Sequence, residues 1–524
     1  MMHHKDRQAD GAPGATGWPR RDLRRDDSGS IIIFSLFMMV IMLAIGGIGV
    51  DTMRVEAKRN HLQTTLDRAV LAAADLQQSR DPEAVVRDYF TKAGLIDSLG
   101  KVEVVQTLNS RTVRAEAEMP VSTTLLRMAG IDALSAPAAG SATESVSDIE
   151  IGLVLDVSGS MGDNNKLPRL KTAGSEFINT MFDNVEPEHL SISVVPYATQ
   201  VNLGRPLAEA YGMVGGLASV GEHAFSYCVD LPPTAYLTTV QLPAGLVQAG
   251  HFDASSSGGR YDRMGLDTPV CRTDASFEVL PWSNDRTKLL DKIAALRDSG
   301  WTSTEMGVNW GAALLDPSAR AALTGMIGNG VGANLAGWPR DFDTPEGMKV
   351  LVVMTDGENT RDYRLQAPYR TDTPSDVWLD GDDDYYVYVG SGWYFRAKEQ
   401  GWTQTRRGTR LSWAELFSRM TVGEHAYHLR YMQNYSRSTR DAWKAIVDTT
   451  WSTTKDARTR SICAAARARG IIVFTIGFEV NSHAAEIMAE CASSPSHFYR
   501  VEGLEISSAF TSIATKINAL RLIQ

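Results

Sequence analysis

Asp156, Ser158 and Ser160 alternate in Asp156-Val157-Ser158-Gly159-Ser160-Met161, so one short loop carries a carboxylate and two hydroxyls. The loop follows Ile149-Glu150-Ile151-Gly152-Leu153-Val154-Leu155, an apolar run that reads as a buried strand. In open α/β sheets, ligands bind outside the carboxyl ends of the strands, where this loop falls. Its hard oxygen donors suit Mg²⁺ or Mn²⁺ rather than a soft metal. Two later segments add the same chemistry. Gly300-Trp301-Thr302-Ser303-Thr304 is a hydroxyl-rich loop ahead of a helix-like stretch. Lys349-Val350-Leu351-Val352-Val353-Met354-Thr355-Asp356-Gly357 is a second apolar strand ending in a carboxylate. A serine-rich turn with an unrelated Thr and Asp is the plainer alternative. The order and strand context of all three elements favour a metal site.

The set resembles the metal-ion-dependent adhesion site of the von Willebrand factor A domain. That pattern is Asp-x-Ser-x-Ser, then a Thr, then an Asp after an apolar strand. Asp156, Ser158, Ser160, Thr302 and Asp356 match it in order. The resemblance implies that the serines and the Thr ligate Mg²⁺ or Mn²⁺, with the Asp residues acting directly or through water. It also implies an open coordination position, to be filled by an acidic group of a protein partner.

The elements that must carry this site begin with Ile31 to Val50, an uncharged apolar run of about 20 residues, long enough to span a bilayer as a helix. A signal peptide would have a shorter apolar region and a small-residue cleavage site, whereas this run ends in Gly47-Ile48-Gly49-Val50-Asp51-Thr52. Basic residues flank both ends of the run, so charge does not orient it. The four cysteines, Cys228, Cys271, Cys463 and Cys491, lie far beyond it at wide spacing. An even set without a C-x-x-C pair fits two disulfides made in an oxidising compartment. Four cysteines allow three pairings, and sequential pairing is the expectation.

Around the span, Ser28-Gly29-Ser30 opens the apolar run, Gly49-Val50-Asp51 closes it, and Leu62-Gln63-Thr64-Thr65-Leu66-Asp67-Arg68-Ala69-Val70-Leu71-Ala72-Ala73-Ala74 follows. This resembles the N-terminus of TadE/TadG-type proteins of tight-adherence (Flp) pilus assembly. TadG-like proteins join such an N-terminus to a C-terminal von Willebrand A domain. Segments near the far end, Cys463 to Phe478, Glu490 to Ser494 and Ile517 to Leu522, also resemble that group. Phe34 stands where processed pilins of this class carry Glu, which argues against cleavage after Gly29. The resemblance implies a single-pass protein of the bacterial inner membrane, with a cytoplasmic N-terminus and an extracytoplasmic C-terminal domain.

The expected organisation is a disordered tail at 1–29, a transmembrane helix at 30–50, a helical extension at 51–80 and a small α+β subdomain with linker at 82–147. A von Willebrand A domain fills 148–524, as a doubly wound, mostly parallel α/β sheet of strands alternating with helices. The Ala/Ser/Gly-rich stretch Ala136 to Ala142 reads as a linker or loosely paired strand. Insertions at about 197–283 and 361–455 exceed ordinary loops. The second holds six of the eleven tryptophans and the acidic run Asp380-Gly381-Asp382-Asp383-Asp384. Those aromatics suit either a recognition surface or a small core.

A net charge of −10 without a basic stripe argues against nucleic-acid binding. No phosphate loop, His-Glu-x-x-His or Gly-x-Ser-x-Gly occurs, so neither catalysis nor a small-molecule substrate is expected. The expected function is a membrane-anchored, envelope-facing component of pilus assembly that recognises a partner through the metal. The alternative is a general metal-dependent adhesin not tied to a pilus.

Overall fold

The computed structural model describes residues 28–75, 80–106, 110–145, 148–213, 223–237, 240–255, 260–344 and 347–521. The tail read as disordered lies, up to residue 27, outside the described residues. The chain divides into two compact units, Met1–Ser145 and Val146–Gln524.

In the first unit one helix, α1 (Ser28–Ala74), carries both the apolar span and its extension without a break. Its side chains from Ile31 to Val50 are almost all exposed, whereas Leu62, Leu66, Ala69, Val70 and Ala73 are buried. These pack with Val85, Val86 and Phe90 of α2 (Pro82–Lys92) and with a three-stranded antiparallel sheet. Its strands are β1 (Leu99–Gln106), β2 (Ser110–Ser122) and β3 (Ala133–Ser145). The Ala136 to Ala142 stretch is neither linker nor loose. It sits in β3, which pairs with β2 from Ser110↔Ser145 to Ser122↔Ala133. Its small residues have a packing cause: a Cβ on Gly140 would come within 2.5 Å of Leu66. Asp51 fixes the C-terminal end of the apolar run. Its carboxylate accepts the backbone N–H groups of Thr124, Leu125 and Leu126 at 2.8–2.9 Å.

The second unit is built on a six-stranded sheet of order β16-β15-β7-β4-β5-β6. The strands are β4 (Asp148–Asp156), β5 (Leu190–Tyr197), β6 (Leu280–Ser283), β7 (Gly347–Thr355), β15 (Ile472–Phe478) and β16 (Phe498–Val501). All neighbours run parallel except β5 and β6. Numbered within the unit the order is 3-2-1-4-5-6, that of a doubly wound sheet, whose direction of winding reverses between β4 and β7. The strands read as continuous apolar runs because both faces are covered.

On one face lies α3 (Lys166–Asn184), which buries Leu167, Leu170, Phe177, Ile178 and Met181 at helical spacing. Beside it are the helices Arg286–Ala295 and Glu505–Arg521, contributing Leu289, Ile293, Phe510 and Ile513. On the other face are α4 (Thr304–Ala313) and the helices Ser452–Ala468 and Ser482–Cys491. Helix α4 lies close to the sheet. A Cβ on Gly311 would come within 2.3 Å of Val154, so only glycine fits there.

The insertions have structure of their own. The second forms a five-stranded antiparallel sheet of order β12-β11-β10-β9-β13. Its strands are β9 (Pro374–Asp380), β10 (Asp384–Gly390), β11 (Trp393–Arg396), β12 (Gly401–Thr403) and β13 (Thr409–Ser412). A separate ribbon pairs β8 (Asp362–Leu365) with β14 (Val447–Thr450). Val377, Leu379, Val387, Phe395 and Phe417 share one core with Phe252 and Val270 of the first insertion, so the two insertions fold together. Cysteines pair sequentially, Cys228–Cys271 within the first insertion and Cys463–Cys491 between two helices. The acidic run is held by basic partners: Asp384 meets Arg396 at 2.7 Å and Asp383 meets Lys398 at 2.8 Å.

Candidate metal centre

Strands β4 and β7 are hydrogen-bonded neighbours, with Leu155 opposite Met354. Their carboxyl ends therefore bring Asp156 and Asp356 to the same edge, at the point where the winding of the sheet reverses. Asp156 is the last residue of β4 rather than a loop residue, and it is fully buried. One carboxylate oxygen accepts the Ser158 N–H at 2.9 Å, and the other accepts the Thr355 hydroxyl at 2.7 Å. The Tyr197 hydroxyl lies 3.3 Å from that second oxygen.

Ser158 and Ser160 follow on the loop, their hydroxyl oxygens 3.1 Å apart. The Ser160 hydroxyl donates to Asp356 Oδ1 at 2.8 Å, and Lys166 Nζ donates to Asp356 Oδ2 at 3.0 Å. Four of the five expected residues are thus joined by direct hydrogen bonds or hydroxyl contact. Thr302 comes to the same edge through its backbone. Gly159 N–H donates to the Gly300 carbonyl at 2.9 Å, which fastens the serine loop to the Thr302 loop. Gly300 sits at φ 88°, a left-handed conformation that glycine adopts without strain. Thr302 N–H donates to the Thr360 hydroxyl at 2.9 Å.

Burial, followed by the nearby charge of Asp356, pushes Asp156 up to about 7, against the lowering effect of Ser158 and Thr355. Two carboxylates in a buried setting call for compensating positive charge, of which Lys166 supplies one. The donor set fits a divalent one, since all five groups offer oxygen. The serine oxygens are spaced close to the ~3 Å edge of an octahedron built on ~2.1 Å metal–oxygen bonds.

Several residues of the centre escape sequence reasoning. Lys455 is fully buried, and its ammonium donates to the Thr302 carbonyl at 2.8 Å, the Ser303 hydroxyl at 2.6 Å and the Thr360 carbonyl at 2.9 Å. Glu305 Oε1 lies 3.8 Å from the same ammonium, and burial pushes Glu305 up to about 7. Lys166 did leave a signal. It begins α3, the helix end where a cation is disfavoured by the macrodipole, so a compensating acid was to be sought. Beside Thr302 an exposed strip runs along the ribbon. Trp301 packs edge-on against Tyr363 at 5.3 Å, and the Arg361 guanidinium lies 4.4 Å from the Trp451 ring centre.

The strand order and directions define a doubly wound, mostly parallel α/β domain, while the N-terminal unit is of another kind. Residues 29–76 match the Tad family, described as Flp pilus-assembly TadE/G-like. Together with the exposed apolar part of α1, this makes the N-terminal segment a single-pass membrane anchor. No curated protein matches the chain. Among solved structures, it is similar to the pilus adhesin SpaC from Lactobacillus rhamnosus GG, at 12% identity and a TM-score of 0.31 over 80% of this chain and 34% of that one. The chain therefore spans about a third of SpaC. The vWF domain of the type V pili tip protein Mfa5 from Porphyromonas gingivalis is 14% identical, with a TM-score of 0.32 over 72% of this chain and 97% of that one. The pilus adhesin RrgA from Streptococcus pneumoniae is 14% identical, with a TM-score of 0.31 over 80% of this chain and 48% of that one. The fold assignment rests on strand order and direction, independent of these likenesses.

Proposed function

We propose that this chain is a membrane-anchored, envelope-facing component of tight-adherence (Flp) pilus assembly that recognises a protein partner through a divalent metal, Mg²⁺ or Mn²⁺. The observation that carries the reading is the meeting of Asp156, Ser158, Ser160 and Asp356 at the reversal point of the sheet. The hydroxyls of Ser158, Ser160 and Thr302 would hold the ion, and Asp156 and Asp356 would balance its charge. When bound, the ion would offer a Lewis-acid position to a carboxylate of the partner. It serves recognition and not catalysis. The strip of Trp301, Tyr363, Arg361 and Trp451 consists of the residue types that dominate interface energetics, and it supplies partner selectivity. The apolar part of α1 crosses the inner membrane, with the N-terminus in the cytoplasm and the second unit outside, where the two disulfides form.

The test is calorimetric titration of Mn²⁺ into the full chain in detergent. Wild type should bind one ion, and Asp156→Ala should lose binding at least a hundredfold while keeping its far-UV circular dichroism. Equal affinity in the two proteins would remove the metal site. Capture of envelope partners should also be lost in EDTA.

A further inference from the structure

Lys166 is a cation already in the centre. Its side chain is 9% exposed, its partner Asp356 is fully buried, and the contact is 3.0 Å. Lys166 opens a helix whose dipole disfavours positive charge at that end, and the chain bends unusually to put it there. Asn164 and Asn165, immediately before it, both lie in the left-handed region, at φ 52° and 58°. Two consecutive non-glycine residues in that region are uncommon. Asp356 in turn divides its oxygens, Oδ1 accepting from Ser160 and Oδ2 from Lys166.

We propose that Lys166 makes divalent-metal binding at this centre contingent on the partner's carboxylate. The inference rests on the metal-site reading above and concerns how that site is regulated. Asp156 and Asp356 bring two negative charges when ionised, and Lys166 brings one positive charge. Without metal the centre carries one net negative charge, with Asp356 paired to Lys166. A divalent ion alone leaves it with one excess positive charge in a poorly solvated place, which is unfavourable. A carboxylate entering with the ion restores neutrality. Metal and acidic ligand therefore strengthen each other's binding, and by linkage the coupling is reciprocal. Without Lys166 the two aspartates alone would neutralise the ion, and the incoming acid would have no excess charge to meet. The lysine thus keeps the free protein from holding metal tightly in the absence of its partner.

The experiment titrates Mn²⁺ into the full chain in detergent, with and without saturating acetate as the carboxylate probe. In wild type, acetate should tighten Mn²⁺ binding about tenfold. In Lys166→Gln, Mn²⁺ alone should bind about tenfold tighter than in wild type, and acetate should add little. Lys166→Arg keeps the charge and should retain the wild-type pattern. If Lys166→Gln matches wild type in both titrations while Asp156→Ala loses Mn²⁺, the metal site stands and the role of Lys166 is wrong. If no protein binds Mn²⁺, the metal-site reading falls, and this inference with it. Should Lys166→Gln fail to fold, the wild-type titrations still decide: no tightening by acetate overturns the proposal.

Discussion

At the carboxyl ends of β4 and β7, buried polar groups are placed one at a time, each with an assigned partner. Asp156 takes its bonds from Ser158 and Thr355, Asp356 from Ser160 and Lys166. The inserted sheet β9–β13 is organised differently. Its interior is aliphatic and aromatic area around Val377, Val387, Phe395 and Phe417. Its charges sit on arginine–aromatic stacks such as Arg410 over Trp378 at 5.1 Å, or in pairs such as Arg396–Asp384. The first region depends on directed bonds, so a change of one atom alters its chemistry. The second depends on area, so it tolerates exchange of similar side chains and can vary its rim. A fixed centre with a changeable surround suits a recognition protein.

Three experiments would sharpen or break that contrast. The largest stability effect is expected from Phe417→Ala, which empties a fully buried position of the insertion core. It should cost about 3–5 kcal/mol in chemical unfolding. Mn²⁺ affinity should stay unchanged, and a parallel loss of metal would show that the insertion core and the centre are one unit.

Next is the buried acid behind Thr302. Burial raises Glu305 from 4.5 to about 7, so the folded state holds its proton more tightly than the unfolded state. Its stabilising contribution is complete below about 4.5 and is lost as pH rises through 7. Glu305→Gln should therefore match wild type near pH 4. It should become more stable towards neutrality, by an amount on the order of 3 kcal/mol. Stability curves that stay parallel across that range would contradict the assignment.

The smallest effect should come from Trp451→Ala on the exposed strip. Fold and Mn²⁺ affinity should be unchanged, and partner capture from envelope extracts should weaken about tenfold. Unaltered capture would move selectivity away from the strip.

The site was legible where chemistry is local in sequence. Asp156 and the serines Ser158 and Ser160 lie within five residues at the end of one apolar strand, and Asp356 follows another, so periodicity places them all at one sheet edge. The doubly wound, mostly parallel character of the sheet followed from strands alternating with helices. What escaped was long-range pairing. Lys455 is 153 residues from the Thr302 carbonyl it holds, and Lys166 is 190 residues from Asp356. Spacing reports neither contact, and for Lys166 the one signal was a cation at a helix N-terminus. The Ala136 to Ala142 stretch was misread for a related reason: composition suggested looseness, but the small residues answer to a helix packed against them. The insertion tryptophans proved to be of both kinds. Trp413 belongs to the core, while Trp393, Trp402 and Trp451 are exposed.

The most direct test of the central claim is an anomalous difference map from crystals of the full chain grown with MnCl₂. The account predicts one strong peak within bonding distance of the Ser158 and Ser160 hydroxyls, beside Thr302 and Asp356. A map with no peak at the carboxyl ends of β4 and β7, from protein saturated with Mn²⁺, would contradict it.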